Sequence, residues 1–98
     1  MINYKAIILN HICYTSLVYN RINKKLNLSF TNEEIEKLII EILQDTPEND
    51  YIKTGKNIYV TNKERNIRIT INSFTNRLIT ADKPKLINRR LEKSNLLI

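Results

Sequence analysis

A chain of 98 residues, 42% hydrophobic and 27% charged, has room for one modest core in one domain, and its composition is that of a globular protein rather than a disordered tail. Sixteen Lys/Arg against ten Asp/Glu give a net charge of +6, which suits a polyanion or an acidic protein face as partner. A single cysteine, Cys13, cannot close an internal disulfide, and the run Ala6-Ile7-Ile8-Leu9 falls far short of a membrane span of ~20 residues or a signal region of ~7–15, so a cytoplasmic protein without a membrane partner is expected.

Charge is unevenly distributed. Residues 1–32 carry four cations and no acid, and residues 33–50 carry seven acids against Lys37. Residues 51–98 carry eleven cations against Glu64, Asp82 and Glu92. A basic C-terminal half beside an acidic segment is the pattern of a surface with an electrostatic footprint.

From Tyr4 to about Leu26 there is no Gly or Pro, and Ile8, Ile12, Tyr19, Ile22 and Leu26 recur at helical steps. The spacing predicts one amphipathic helix over 4–26, with Arg21, Lys24 and Lys25 placed favourably near its negative end. Asn27 to Phe30 breaks it. Thr31-Asn32-Glu33-Glu34 reads as a capping box opening a second helix over 32–45. Ile35, Leu38, Ile39, Ile42 and Leu43 form its apolar face, and Thr46-Pro47 ends it, because proline removes a donor and disfavours helix in its predecessor.

After Asp50 the period becomes two. A strand is predicted over 51–61, running through Gly55, then a polar turn at Asn62 to Asn66 and a second strand over 67–73. There Ile67, Ile69 and Ile71 point one way and Arg68, Thr70 and Asn72 the other. Ser73 to Asn76 is a turn, 77–82 a third strand, and the basic segment 83–98 is read as a tail or a short C-terminal helix. The expectation is an α+β fold in a single domain, 1–98. Two N-terminal helices pack on the isoleucine face of a three-stranded antiparallel sheet.

Several chemistries fail on the residues present. Lys53-Thr54-Gly55 matches a strand motif of serine β-lactamases, but no serine has lysine three residues on. A phosphate-binding Walker loop needs a second glycine, and Gly55 is the only one. His11 and Cys13 lie two apart on a predicted helix and do not share a face, so no metal or cofactor is expected. His11 is read as partly buried and Cys13 as a small core residue.

The candidate ligand surface is the polar sheet face: Lys53, Lys56, Asn57, Tyr59, Arg68, Thr70, Asn72 and Arg77. Lysines and paired strand arginines supply donors to phosphate, and Tyr59 is the tyrosine in register to join them. Gly55 has two compatible readings. It bends or bulges one long strand, and the same bend exposes N–H groups beside Lys53, Lys56 and Asn57.

The stretches "CYTSLVYNRINKKLNLSFTNEEIEKLI", "IKTGKNIYVTN", "NIRITINS" and "RLITADK" resemble the small bacterial proteins grouped as domain of unknown function 3781, over about Ile12 to Lys83. The resemblance implies a cytosolic single domain, often from small-genome or mobile contexts, and no established activity. An aromatic tends to precede the Arg77 position in that family. Here Asn76 stands there, with Phe74 two residues earlier, which bears on the register of the last strand. In architecture alone the chain is similar to toxin ribonucleases of the RelE and HicA types, with Asn57 where the HicA-like histidine would be.

Two functions are therefore expected as alternatives. The first is nucleic-acid binding, RNA rather than DNA, through the basic sheet face; if any catalysis accompanies it, a metal-independent ribonuclease is the form it would take. The second is a non-catalytic protein-binding inhibitor from a mobile element, of the phage anti-defence or anti-CRISPR type, or a toxin–antitoxin component. A homodimer through a sheet edge is the further partner considered.

Overall fold

The structure, a computed structural model, describes residues 2–84. The expected C-terminal helix lies outside the described residues. Three helices, α1 (Tyr4–His11), α2 (Val18–Leu26) and α3 (Asn32–Asp45), are followed by a 3₁₀ turn at Glu48–Asp50. Four strands then form an antiparallel meander: β1 (Tyr51–Thr54), β2 (Asn57–Asn62), β3 (Ile67–Asn72) and β4 (Leu78–Asp82).

The α+β class and the order of helices before sheet are as expected; two counts differ. The expected helix over 4–26 is two helices. α1 starts where the side chain of Asn3 accepts from the Ala6 N–H at 3.0 Å, and it stops at Ile12, which is extended. Cys13 then pairs with the sheet. Its N–H donates to the Asn76 carbonyl at 3.0 Å, and its carbonyl accepts from the Leu78 N–H at 2.9 Å. A helix through Cys13 would leave those edge groups of the sheet unmet. The hydroxyl side chains of Thr15 and Ser16 also favour the local alternatives to helix.

α2 ends at Asn27, which takes the left-handed φ of 57° that asparagine tolerates at a helix C-terminus. The Asn23 side chain bonds both the N–H and the carbonyl of Phe30, each at 3.0 Å, and so folds the loop back. The capping box of α3 forms as expected: Glu34 N–H donates to Thr31 Oγ1 at 3.2 Å and Thr31 N–H to Glu34 Oε1 at 2.8 Å.

A helix C-terminus leaves carbonyls without partners, and here side chains from elsewhere supply them. Lys5 Nζ donates to the carbonyls of Gln44 and Thr46 at 2.9 and 2.8 Å. Tyr51 Oη donates to Leu43 at 2.6 Å, and Thr46 Oγ1 to Ile42 at 2.7 Å. These bonds tie α3 to α1 and to the first strand.

The expected strand over 51–61 is also two. Thr54 pairs directly with Asn57, so Gly55-Lys56 is a two-residue hairpin loop rather than a bend. Glycine comes first, at φ +64°, which matches the hairpin turn that calls for glycine at its first central position. A single glycine between alternating runs fits a bulge and a tight turn equally well in sequence. Pairing settles it, because Tyr51 aligns with Val60 and Ile52 with Tyr59. β3 and β4 slip by one residue between Thr70 and Ile71, so that Thr70 faces Thr80 but Ile71 faces Leu78, and Ile79 is the extra residue.

Register assigns the two faces. Tyr51, Val60, Ile69 and Ala81 align across all four strands, and Ile58, Ile71 and Leu78 across three. All seven are buried. The helices cover this face with Ile8, Val18, Ile22, Leu26, Ile35, Ile39, Ile42 and Leu43. Each such side chain contributes about 1.5–3 kcal/mol on burial, which makes this single core the main source of stability.

Candidate functional site

The sheet has one end built from its two tight turns. The loop Gly55-Lys56 joins β1 to β2, and Ser73 to Arg77 joins β3 to β4. They are joined to each other: the Ser73 N–H donates to the Lys56 carbonyl at 2.8 Å, and the Ser73 hydroxyl donates to the same oxygen at 2.9 Å. Within the second turn, Asn72 Oδ1 accepts from the N–H groups of Phe74 and Thr75 at 2.8 and 3.0 Å. Asn76 closes it at φ 59°. That conformation favours asparagine over a bulky aromatic, which is the physical reason for Asn76 at the position where an aromatic was expected.

Lys53, Lys56 and Arg77 are all exposed at this end. Among the described residues none of the three makes an ion pair with a carboxylate. Phe74 stands beside them with 74% of its surface in solvent. It has nothing to gain from that exposure in the isolated chain, since burial of a Phe is worth about 1.5–3 kcal/mol.

The eight candidate residues therefore divide. Asn57, Tyr59, Arg68, Thr70 and Asn72 share the outer face, aligned in rows through the register of β2 and β3. Lys53 does not. It aligns with Ile58 and so lies on the opposite side of the sheet from Tyr59, at the exposed rim; its ammonium group donates to the Gly55 carbonyl at 2.7 Å. Nor do the two arginines meet. Arg68 pairs with Asp82, whereas Arg77 lies beside Asn72, whose N–H donates to the Arg77 carbonyl at 3.0 Å. The run of β3 from Asn72 to Arg68 separates them by about 13 Å at about 3.3 Å per residue.

The outer face is less basic than the sequence implies. Arg68 is its cation, and Asp82 stands across from it, with Nη2 3.7 Å from Oδ1. The guanidinium lies 5.9 Å from the centre of the Tyr59 ring, and Asn57 Nδ2 donates to Tyr59 Oη at 3.4 Å. Thr70 is nearly buried between its neighbours. Phe74 and Asp82 were not singled out from sequence, whereas Thr80 reads there on the same face as Arg68, Thr70 and Asn72. Thr80 and Asp82 were legible as the alternating outward positions of the last strand, while Phe74 is placed by turn geometry alone.

His11 and Cys13, expected to be partly or wholly buried, are both exposed. Cys13 is held by its backbone, and its thiol reaches only the Thr75 carbonyl, at 3.5 Å. Among the described residues no group of three or more His, Cys, Asp or Glu is placed to hold a metal ion. Likewise no described helix is long and apolar enough to cross a membrane.

A second aromatic site lies away from the sheet. Tyr14 and Tyr19 stack at 5.9 Å, and Tyr19 Oη donates to Glu36 Oε2 at 2.6 Å. That bond, with some burial, raises the Tyr19 phenol to about 12. Burial first, and then the Glu36 charge, raises Tyr14 to about 12. Both hydroxyls stay protonated near neutrality.

The sequence model of the family described as "Protein of unknown function (DUF3781)" matches residues 6–82. The chain belongs to this family. No curated protein and no solved structure matches it. The matched span includes both turns and all eight candidate residues, so the DUF3781 match covers the turn end and the outer face together.

Proposed function

We propose that this DUF3781 protein binds nucleic acid, RNA rather than DNA, at the turn end of its sheet. The observation that carries the reading is the Ser73–Lys56 joint. It holds the loop that carries Lys56 against the turn that carries Phe74 and Arg77, all three exposed and neither cation paired with a carboxylate among the described residues. Unpaired cations attract phosphates by releasing counterions, and an exposed aromatic ring stacks on a base splayed from a single strand. An aromatic platform favours single-stranded RNA loops over a base-paired duplex.

Fluorescence anisotropy with short single-stranded RNA and duplex DNA tests this. Lys56→Ala and Arg77→Ala should each weaken RNA binding, and Phe74→Ala should weaken it further at a given salt. Lys24→Ala and Lys25→Ala, exposed on α2, should matter less. Binding indifferent to the first three changes would reject the reading.

A second reading has its own observation. Leu17 is 70% exposed and Phe74 74% exposed, and apolar side chains in solvent suit a protein partner. On that reading the protein is a non-catalytic inhibitor or toxin–antitoxin component of a mobile element. Capture of a partner protein that survives high salt and fails with Phe74→Ala or Leu17→Ala would select it.

A further inference from the structure

We propose that the outer face of the sheet is a base-reading site for guanine, formed by Arg68, Asp82 and Tyr59; this rests on the nucleic-acid reading above. Its starting point is an ion pair that does not close. Three residues earlier in the chain, Arg65 Nη2 meets Asp45 Oδ2 at 2.8 Å. Arg68 and Asp82 stand directly across from each other on β3 and β4, yet their nearest approach is 3.7 Å. Nη2 is the guanidinium atom of that approach; Arg68 Nε and Asp82 Oδ1 have no hydrogen-bond partner although shielded from solvent. Thr80 Oγ1, next outward along β4, is in the same condition. Shielded polar groups are normally satisfied, so three orphans on one patch mark a pair not closed by its own residues, and the solvent-facing parts of Arg68 and Asp82, whose side chains are 41% and 25% exposed, are open to a ligand.

The patch has the chemistry of a base edge. It offers guanidinium donors, carboxylate acceptors and a hydroxyl that can do either. The Tyr59 ring lies under the Arg68 guanidinium, 5.9 Å from its centre, and holds that donor on the outer face. The Watson–Crick edge of guanine presents one acceptor, O6, followed by two donors, N1–H and N2–H. Arg68 donates to O6, and the Asp82 carboxylate accepts from N1–H and N2–H. Adenine and cytosine set an amine against Arg68 and a lone pair against the carboxylate and are disfavoured; uracil keeps the O4 and N3–H contacts but turns O2 towards the carboxylate and loses the third. The separation from the turn end, about 13 Å along β3, lets one strand hold its phosphates at Lys56 and Arg77 while a neighbouring base reaches Arg68.

The test uses cytidine-rich RNA oligomers with a single central G, inosine, A or C, titrated against the full chain by anisotropy. The G oligomer should bind on the order of 10-fold tighter than the A or C oligomer, the discrimination of a good bidentate contact. Inosine, which lacks the N2 amine, should fall between them. Asp82→Asn should abolish the preference and keep the binding that depends on Lys56. Arg68→Lys should reduce it, with circular dichroism confirming the fold of both variants. RNA binding without base preference, or a preference unchanged in Asp82→Asn, would overturn the guanine assignment and leave the turn-end reading standing. No binding to any oligomer would overturn both.

Discussion

Ser73 donates twice to the Lys56 carbonyl, from its backbone at 2.8 Å and from its hydroxyl at 2.9 Å. The two donors come from one turn and the acceptor from the other, so this residue couples the hairpin loops that carry the turn-end cations. Ser73→Ala keeps the backbone bond and removes the hydroxyl. Urea unfolding should show a loss of about 1 kcal/mol, the net value of one such bond. RNA affinity should fall by less than in Lys56→Ala.

Gly55 is a conformational requirement rather than a steric one. It sits at φ +64°, and an added Cβ would meet nothing within 4 Å. Gly55→Ala should therefore cost about 1–2 kcal/mol from the left-handed backbone alone. Gly55→Asn should cost less, because asparagine tolerates that region. Equal losses for the two, measured by thermal unfolding, would contradict the assignment of a strained hairpin loop.

The lower end of the sheet is locked to α3 through buried polar groups. Asn62 Nδ2 donates to Thr46 Oγ1 at 3.0 Å, and its Oδ1 accepts from the Arg65 N–H at 2.9 Å. Asn62 is 4% exposed. Asn62→Ala should destabilise by about 2–3 kcal/mol, since it strands a donor and leaves a small void. Tyr51→Phe, which leaves the Leu43 carbonyl only the longer bond from the Thr46 N–H at 3.4 Å, should cost about 1 kcal/mol. Denaturant midpoints of the two variants check both values.

Helix boundaries with a local chemical signature were legible from the chain. The capping box at Thr31 and Glu34, the end at Thr46-Pro47 and the stop after Leu26 are all set by neighbours within four residues. What sequence could not show depended on pairing at a distance. The break at Cys13 exists because Asn76 and Leu78 need backbone partners, some sixty residues further on. The division of Lys53 from Tyr59 follows from the hairpin at Gly55, since ending the strand there resets which side chains share a face. Arg68 is on β3 as expected, but Arg77 falls in the turn before β4 rather than on it, so the two arginines lie towards opposite ends of the sheet.

Alkaline pH should unfold the protein through its tyrosines. The folded-state values of Tyr14 and Tyr19 rise from the ordinary 10.0 to about 12, and burial raises Tyr51 as well. A raised folded value means that the unfolded chain loses its protons first. The stabilisation is thus fully present below pH 10 and is lost as pH climbs towards 12. Melting temperature should hold flat up to about pH 9 and fall steeply above about pH 10, the phenol's ordinary range. Tyr14→Phe should fall less steeply.

The salt dependence of RNA binding tests the central claim most directly. The slope of log affinity against log salt should be shallower by about one unit for each lost phosphate contact. Lys56→Ala and Arg77→Ala should each show that change, their combination should show both, and Lys24→Ala/Lys25→Ala should keep the native slope. A native slope retained in the Lys56→Ala/Arg77→Ala double variant would show that the turn end does not meet phosphate, and would contradict the account.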